Sequence, residues 1–153
     1  MSVAYNVQRM ATIDRTALLA FLKTRLFGVL STISPEGEPE AAVVGIAITD
    51  QLEIVFDTLS TTRKIRNLRH SPKIAFVIGW DRDEITVQLE GIADEPTGAD
   101  LDRLKRTYFA AHPSGPKREH WAYMTYVRVK AHWIRYSDFK PNGAIVEFTR
   151  EQL

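Results

Sequence analysis

The stretch TLSTTRKIRNLRHSP, Thr58–Pro72, concentrates the residues of this chain that could bind an anion. It reads as the start of a short helix, yet it carries four basic residues: Arg63, Lys64, Arg66 and Arg69. Because a helix begins with about half a positive charge of its own, each cation in the first turn costs roughly 0.3–1 kcal/mol. A bound negative group would reverse the sign of this cost, and the pattern therefore favours an anion site.

The residues before these cations, Ser60, Thr61 and Thr62, complete the outline of a phosphate site. Unpaired backbone N–H groups at a helix start and small hydroxyl groups can point at one phosphate, while Arg63 and Lys64 neutralise it. Charge-assisted hydrogen bonds of this kind contribute about 1.5–3 kcal/mol each, which outweighs the dipole penalty. The other interpretation is that Ser60 caps the helix and the basic side chains extend into solvent.

Six segments that must position this site have the composition or the alternation of β-strands. In EITVQLEGIADE, the apolar Ile85, Val87 and Leu89 alternate with polar residues, whereas AAVVGIAIT is apolar at nearly every position and predicts a strand covered on both faces. The predicted strands span 27–33, 40–49, 52–58, 73–80, 84–95 and 125–136. Their close spacing and tight turns predict an antiparallel barrel instead of a parallel α/β sheet.

Three helices are predicted to flank these strands, from their capping residues and their apolar spacing. They run from Asp14 or Thr12 to near Leu26, through the basic segment to about His70, and from Thr97 to about Ala111. The expected class is therefore mainly β with flanking helices. The length favours one domain over residues 1–153.

Composition and charge narrow the class of protein. Twenty lysines and arginines against nineteen acidic residues give a net charge of +1, which argues against nucleic-acid binding. No cysteine is present, which excludes disulfides and thiolate metal sites and suits a reducing compartment. The N-terminal MSVAYNVQRM lacks the apolar core of a signal peptide, and no apolar run is long enough to span a bilayer. We therefore expect a cytoplasmic protein without a membrane segment.

Neither the histidines nor the acidic residues form a recognisable reactive cluster. The four histidines fall in no i, i+4 pair and have no cysteine companions, so a metal site is not expected. Glu84 and Glu90 are six strand residues apart, about 20 Å, which is too far for two carboxylates that flank one bond. No catalytic acid or base is therefore assigned.

The order of these motifs resembles the pyridoxamine 5′-phosphate oxidase-like family of flavin-binding split barrels. The resemblance extends from about Asp14 to Tyr136 and is carried by SPEGEPEAAVV, VFDTLSTTRKIRNLRHSPKIAFVI, VQLEG and YVRVKAHWIRYSD. It implies a six-stranded antiparallel Greek-key split barrel that forms a homodimer, with FMN in two equivalent clefts between the subunits. It also implies an oxidoreductase that acts on a small molecule.

On matching positions, the resemblance implies two parts of a cofactor site near the basic helix. The flavin phosphate would be bound by Arg63 and Lys64, with help from Thr62. The edge of the flavin ring would meet backbone groups of the second strand, where small and β-branched side chains allow a close approach: Ala41, Ala42, Val43 and Val44.

The same resemblance implies further contacts from strand residues and from aromatic side chains. The phosphate and the ribityl chain would lie beside the end of the third strand, at Phe56, Asp57 and Thr58. Thr86 or Gln88 would supply a polar contact to the isoalloxazine, and the strand register decides which of them does so. The aromatic residues near the C-terminus pack the barrel or the subunit interface, or else Trp133 or Trp121 reaches the flavin of the partner subunit.

The sequence departs from the true pyridoxamine-phosphate oxidases at positions that serve the substrate. Ala42 and Ala47 occupy the positions where those enzymes carry an arginine and a lysine, and VKAHWIRY replaces their C-terminal Arg-x-His. We expect flavin binding to survive these changes, whereas they argue against vitamin B6 oxidation. The chain resembles the short branch of the family, whose members use FMN or the deazaflavin F420. An F420-dependent reductase and a non-catalytic flavin- or haem-binding carrier or sensor are therefore the alternative functions.

Overall fold

Antiparallel strands in one curved sheet form most of the computed structural model, which describes residues 12–153. The strands are β1 (Phe27–Ile33), β2 (Pro39–Gly45), β3 (Ala47–Ile48), β4 (Glu53–Leu59), β5 (Lys73–Gly79), β6 (Ile85–Asp94), β7 (Met124–Asp138) and β8 (Ile145–Thr149). The helices are α1 (Arg15–Lys23), α2 (Arg63–His70), α3 (Gly98–Ala111) and α4 (Gly115–Arg118), followed by a 3-10 turn at Arg150–Gln152. The N-terminal stretch MSVAYNVQRM and part of the expected domain 1–153 lie outside the described residues.

The sheet curls until its two ends meet without closing completely. Its strand order is β2-β1-β5-β6-β7-β4-β3, with β8 paired to β7, and every pair is antiparallel. The end strands β2 and β3 are consecutive in the chain, with only Ile46 between them. The chain therefore joins the two ends of the sheet at Ile46. Along the rest of β2, one edge of the strand pairs with no other strand of residues 12–153.

The mainly β, antiparallel expectation is confirmed, but residues 12–153 form eight strands where six were predicted. The predicted strand over 40–49 is divided at Ile46, because its first half pairs with β1 and its second half pairs with β4. The strand β8 was not predicted, although it extends the sheet beside β7 through pairs such as Ile134 with Phe148. Helix α4 lies in a predicted loop, and α1 ends at Lys23 instead of near Leu26.

The interior of the curved sheet is filled by one face of each strand and by helix α1. In β6 the predicted alternation is observed, since Ile85, Val87 and Leu89 are buried and the residues between them are not. Helix α1 covers this core with Leu18 and Leu22. Within residues 12–153, no helix combines the length and the apolar character needed to cross a membrane.

A charged cluster ties helix α3 to strands β4, β6 and β7. Arg128 is nearly buried, and it donates to Asp94 from Nε at 2.9 Å and to Asp100 from Nη1 at 2.9 Å. Its Nη1 also lies 3.5 Å from Glu53 Oε1, and Arg103 donates to the other oxygen of Glu53 at 2.7 Å. Two arginines therefore share the buried carboxylate of Glu53.

This sharing sets the protonation of Glu53. Burial by itself would raise the pKa of the Glu53 carboxyl, but hydrogen bonds from Arg103 and Thr49 and the nearby charge of Arg128 hold the pKa below its ordinary value. A carboxyl whose pKa falls on folding stabilises the protein above its unfolded pKa of about 4.3, and this contribution is lost as the pH falls through the lower folded value.

We predict that Glu53→Gln lowers the free energy of unfolding by about 3 kcal/mol at pH 7, because it removes the counter-ion that the buried Arg128 shares with the half-buried Arg103. Urea unfolding monitored by circular dichroism measures this change. The variant should also lose less stability than the wild type between pH 5 and pH 3, since it has no carboxyl to protonate at this position.

The matched control is Glu147→Gln, which removes an exposed carboxylate 3.7 Å from Arg135. Exposed ion pairs of this kind contribute about 0–1 kcal/mol, so the control should unfold close to the wild type. A Glu53→Gln protein as stable as the wild type at pH 7 would contradict the role given to the cluster.

Candidate functional site

A cleft of about 880 Å³ lies between the edge strand β2 and the start of helix α2. Residues of β1 and β2 and of the turn into α2 line it: Leu30, Thr32, Glu38, Pro39, Glu40, Ala41, Ala42, Thr61, Thr62, Arg63 and Lys64. This size is within the range of clefts that take a small molecule or a cofactor. The structure therefore brings the predicted phosphate residues and part of the predicted ring-edge strand to one cavity.

The start of α2 has no side-chain cap. Thr62 is the N-cap residue, but its hydroxyl donates to the Leu59 carbonyl at 2.9 Å and lies 3.4 Å from the hydroxyl of Thr58. Within the described chain, the backbone N–H groups of Arg63 and Lys64 have no hydrogen-bond partner, and the first turn contains no acidic residue. The positive end of the helix is therefore open toward the cleft.

The basic side chains of α2 differ in how far they are neutralised. Three of them pair with carboxylates from other parts of the fold: Arg63 with Glu40, Arg66 with Glu36 and Arg69 with Glu95. In contrast, no carboxylate among residues 12–153 lies within ion-pair distance of Lys64, which is half-buried at the cleft. Carboxylates of the chain therefore balance three of the four positive charges on α2. Lys64 remains available to a ligand in the cleft.

Glu40 is held from two sides. Its Oε1 accepts a hydrogen bond from Arg63, and its Oε2 accepts one from Asn67 Nδ2 at 2.9 Å. Asn67 is buried and also donates to the hydroxyl of Thr32 at 2.9 Å. Thr32 is the residue opposite Glu40 in the β1–β2 ladder. The wall of the cleft is thus a hydrogen-bonded network with a carboxylate in it.

Strand β2 supplies the other wall. Ala41 and Ala42 line the cleft, whereas Val43 is exposed on the outer face of the sheet and Val44 is buried in the core. Because β1 is the one strand of residues 12–153 that pairs with β2, alternate backbone N–H and C=O groups along the other edge of β2 have no strand partner in this part of the chain. Small side chains and free backbone groups therefore lie together at this edge.

Phe56 and Asp57, at the end of β4, direct their side chains away from the cleft. Phe56 is fully buried in the core. Asp57 accepts hydrogen bonds from Tyr108 at 2.7 Å and from Arg118 at 3.0 and 3.1 Å, so its carboxylate anchors α3 and α4. Burial and the Asp57 carboxylate raise the pKa of the Tyr108 hydroxyl, which is therefore a neutral donor. Neither residue is among those that line the cleft, and both lie in the β4–β7 ladder.

Thr86, Gln88 and Trp133 lie on the outer face of the sheet and are not among the residues that line this cleft. Gln88 is exposed and pairs with Val77 of β5, and Thr86 is half-buried. The indole N–H of Trp133 donates to Glu147 at 3.4 Å. None of the three is therefore placed to contact a ligand in the cleft of its own chain, and a contact of Trp133 with the flavin of a partner subunit stays a prediction.

The structure adds polar residues that the sequence reasoning did not assign to the site. They are Glu38, Glu40, Thr32 and Asn67. One signal was present, because the alternation of a strand places Glu38, Glu40 and Ala42 on one face. The contact between Asn67 and this face joins residues far apart in the chain, and no local pattern indicates it.

Solved structures with a similar fold include proteins of different kinds. The structure of a haem-binding protein from Mycobacterium smegmatis matches with a TM-score of 0.75 at 20% identity, over 93% of this chain and 61% of that one. A putative pyridoxamine 5′-phosphate oxidase from Listeria innocua matches with a TM-score of 0.66 at 18% identity, over 79% of this chain and 95% of that one. These likenesses confirm the expected split-barrel fold.

Comparison of sequences identifies the family. A pyridoxine/pyridoxamine 5′-phosphate oxidase from a Cyanothece species is 36% identical over 93 residues, which are 61% of this chain and 42% of that enzyme. The match thus spans less than half the length of this curated relative. The family model described as pyridoxamine 5′-phosphate oxidase matches residues 15–138. That match covers most of the chain, which therefore belongs to the pyridoxamine 5′-phosphate oxidase family.

Proposed function

We propose that this chain is a flavin-binding oxidoreductase whose FMN phosphate binds at the start of α2. One observation carries the proposal: Lys64 and two unpaired backbone N–H groups lie at a cleft of about 880 Å³ beside a free strand edge. Unpaired N–H groups at a helix start, together with a cation, suit a phosphate group. The free edge of β2 suits the polar rim of a flavin ring.

The residues present fit this cofactor in distinct roles. Lys64 and the hydroxyl of Thr61 are available to the phosphate, and Arg63 would join them by leaving its ion pair with Glu40. The hydroxyl of Thr62 is already engaged with Leu59. The backbone of 41–44 would orient the ring, and Thr58 lies next to Thr62 at the turn into the helix. When bound, a flavin supplies hydride and electron transfer, while the protein binds it, orients it and excludes competing reactions. No side chain is assigned as acid, base or nucleophile.

The substrate is proposed to be a small molecule other than a vitamin B6 phosphate. Ala42 lines the cleft where the family's enzymes carry an arginine, and Ala47, at the lysine position, is buried in β3. Neither alanine offers charge to a substrate phosphate. A cytoplasmic location, which the cysteine-free sequence favours, belongs to the same proposal.

Two other cofactors would use the same cleft in different ways. F420 also carries a phosphate group, which the ribityl chain joins to its ring system, so the α2 site would suit it as well. Haem is suggested by the similar fold of the mycobacterial haem-binding protein. The usual axial ligands of haem iron are histidine, methionine, cysteine and tyrosine, and none of them lines the cleft among residues 12–153, so FMN or F420 is favoured.

We also propose that the outer face of the sheet forms a homodimer interface. Val43, Val29 and Val77 lie side by side on three neighbouring strands and are 70%, 37% and 45% exposed. Contiguous exposed apolar side chains on a strand face are typical of association surfaces. The same row continues to Gln88 and Arg135, so a partner on this face would bring polar side chains toward the neighbouring cleft.

The visible spectrum of the purified protein separates an enzyme from a carrier. A yellow protein whose chromophore is bleached by NAD(P)H and restored by an acceptor would support an oxidoreductase. A flavin that no donor reduces would favour a carrier, and mass spectrometry of the released chromophore distinguishes FMN, F420 and haem.

We predict that the double variant Arg63→Ala, Lys64→Ala weakens FMN binding by about 3 kcal/mol, more than 100-fold, because two charge-assisted contacts are lost together. Quenching of flavin fluorescence during titration measures the dissociation constant. Arg66→Ala is the control, since Arg66 lies on the same helix, pairs with Glu36 and does not line the cleft. Equal FMN affinity in the double variant and the wild type would remove the proposed phosphate site.

For the interface, we predict that Val43→Asp combined with Val77→Asp converts the dimer to a monomer, because like charges would be buried on association. Size-exclusion chromatography with light scattering measures the mass directly. Phe139→Asp is the control, because Phe139 is 56% exposed but lies in the loop after β7. A wild-type protein that is monomeric at all concentrations tested would contradict the proposed interface.

A further inference from the structure

We propose that Glu40 is an internal counter-ion that competes with the ligand's phosphate for Arg63 and so limits the affinity of the cleft for anions. The inference rests on the proposed function, since it concerns the same phosphate site. It assigns a specificity-determining role to a residue that makes no favourable contact with the phosphate.

The geometry gives Glu40 and Arg63 unequal freedom. The side chain of Glu40 is 19% exposed and is fixed by the buried Asn67, which donates to it at 2.9 Å. The side chain of Arg63 is 79% exposed, and Glu40 is its ion-pair partner among residues 12–153. A ligand that arrives at the cleft would therefore move Arg63 and leave Glu40 in place.

The charges at the cleft favour this competition. Among residues 12–153, the charged side chains that line it are two acids and two bases, Glu38, Glu40, Arg63 and Lys64, so their formal charges cancel. A phosphate therefore enters a cleft without net positive charge, and it gains Arg63 only by taking it from Glu40. The Glu40 carboxylate stays in place and repels the phosphate, because two negative charges in one cleft at the protein surface are screened less than in bulk water.

Replacing Glu40 by Gln separates the charge of this residue from its hydrogen bonds. The amide oxygen of glutamine can still accept from Asn67, while the negative charge and the strong pairing with Arg63 are removed. We expect Glu40→Gln to bind FMN roughly tenfold or more tightly than the wild type. Affinity for riboflavin, which lacks the phosphate, should change by less than about twofold.

Glu36→Gln is the matched control. Glu36 pairs at 2.6 Å with Arg66, which lies on α2 about one turn after Arg63. Glu36 does not line the cleft. It removes the same charge from the protein, so a change caused by net charge alone would appear in both variants. Thermal unfolding of each variant checks the fold, and Glu40→Ala, which should also tighten FMN binding, serves as a second variant.

The outcomes distinguish this inference from the proposed function. If FMN binding depends on Arg63 and Lys64 but Glu40→Gln binds FMN equally or more weakly, Glu40 orients Arg63 for the ligand, and the competition is wrong. If Glu36→Gln tightens FMN binding as much as Glu40→Gln, the effect is not local and the inference is also wrong. If the wild type binds FMN no better than riboflavin, the phosphate site itself fails and the role of Glu40 fails with it.

Discussion

The open start of helix α2 faces the free edge of strand β2, and the cleft between them depends on how the sheet ends. Strands β2 and β3 are the two end strands of the sheet, and Ile46 connects them along the chain. The barrel is therefore closed at Ile46 and open along the rest of β2. The backbone N–H groups of Arg63 and Lys64 and the edge of β2 therefore meet the same cavity, and neither has a hydrogen-bond partner among the described residues. Both are polar backbone surfaces that gain from a bound partner.

Local patterns in the sequence predicted much of this fold. The alternation of Ile85, Val87 and Leu89 predicted the inner face of β6, and Asp14 caps α1 through the Ala17 N–H at 2.8 Å. The continuous apolar run AAVVGIAIT could not reveal the break at Ile46, because both halves are apolar and only their different partners divide them. Strand β8 depends in the same way on its pairing with β7.

The candidate site shows the same division between local and distant information. The types and order of Thr61, Thr62, Arg63 and Lys64 predicted residues that line the cleft. The ion pair of Arg63 with Glu40 joins two elements 23 residues apart and follows from the register of β1 with β2, which sequence spacing does not give. Most of the charge concentration on α2 is thereby balanced within the chain, and the case for a ligand depends on Lys64 and the uncapped helix start.

Membership of the family establishes the fold of the chain. Its function must be argued from the residues of the cleft, because one fold can host several functions. The most direct test of the account is the ratio of the dissociation constants of the wild-type protein for riboflavin and FMN, measured by fluorescence quenching at one salt concentration. A phosphate seated at the start of α2 predicts that FMN binds at least roughly 100-fold more tightly than riboflavin. Equal affinity for the two flavins would contradict it.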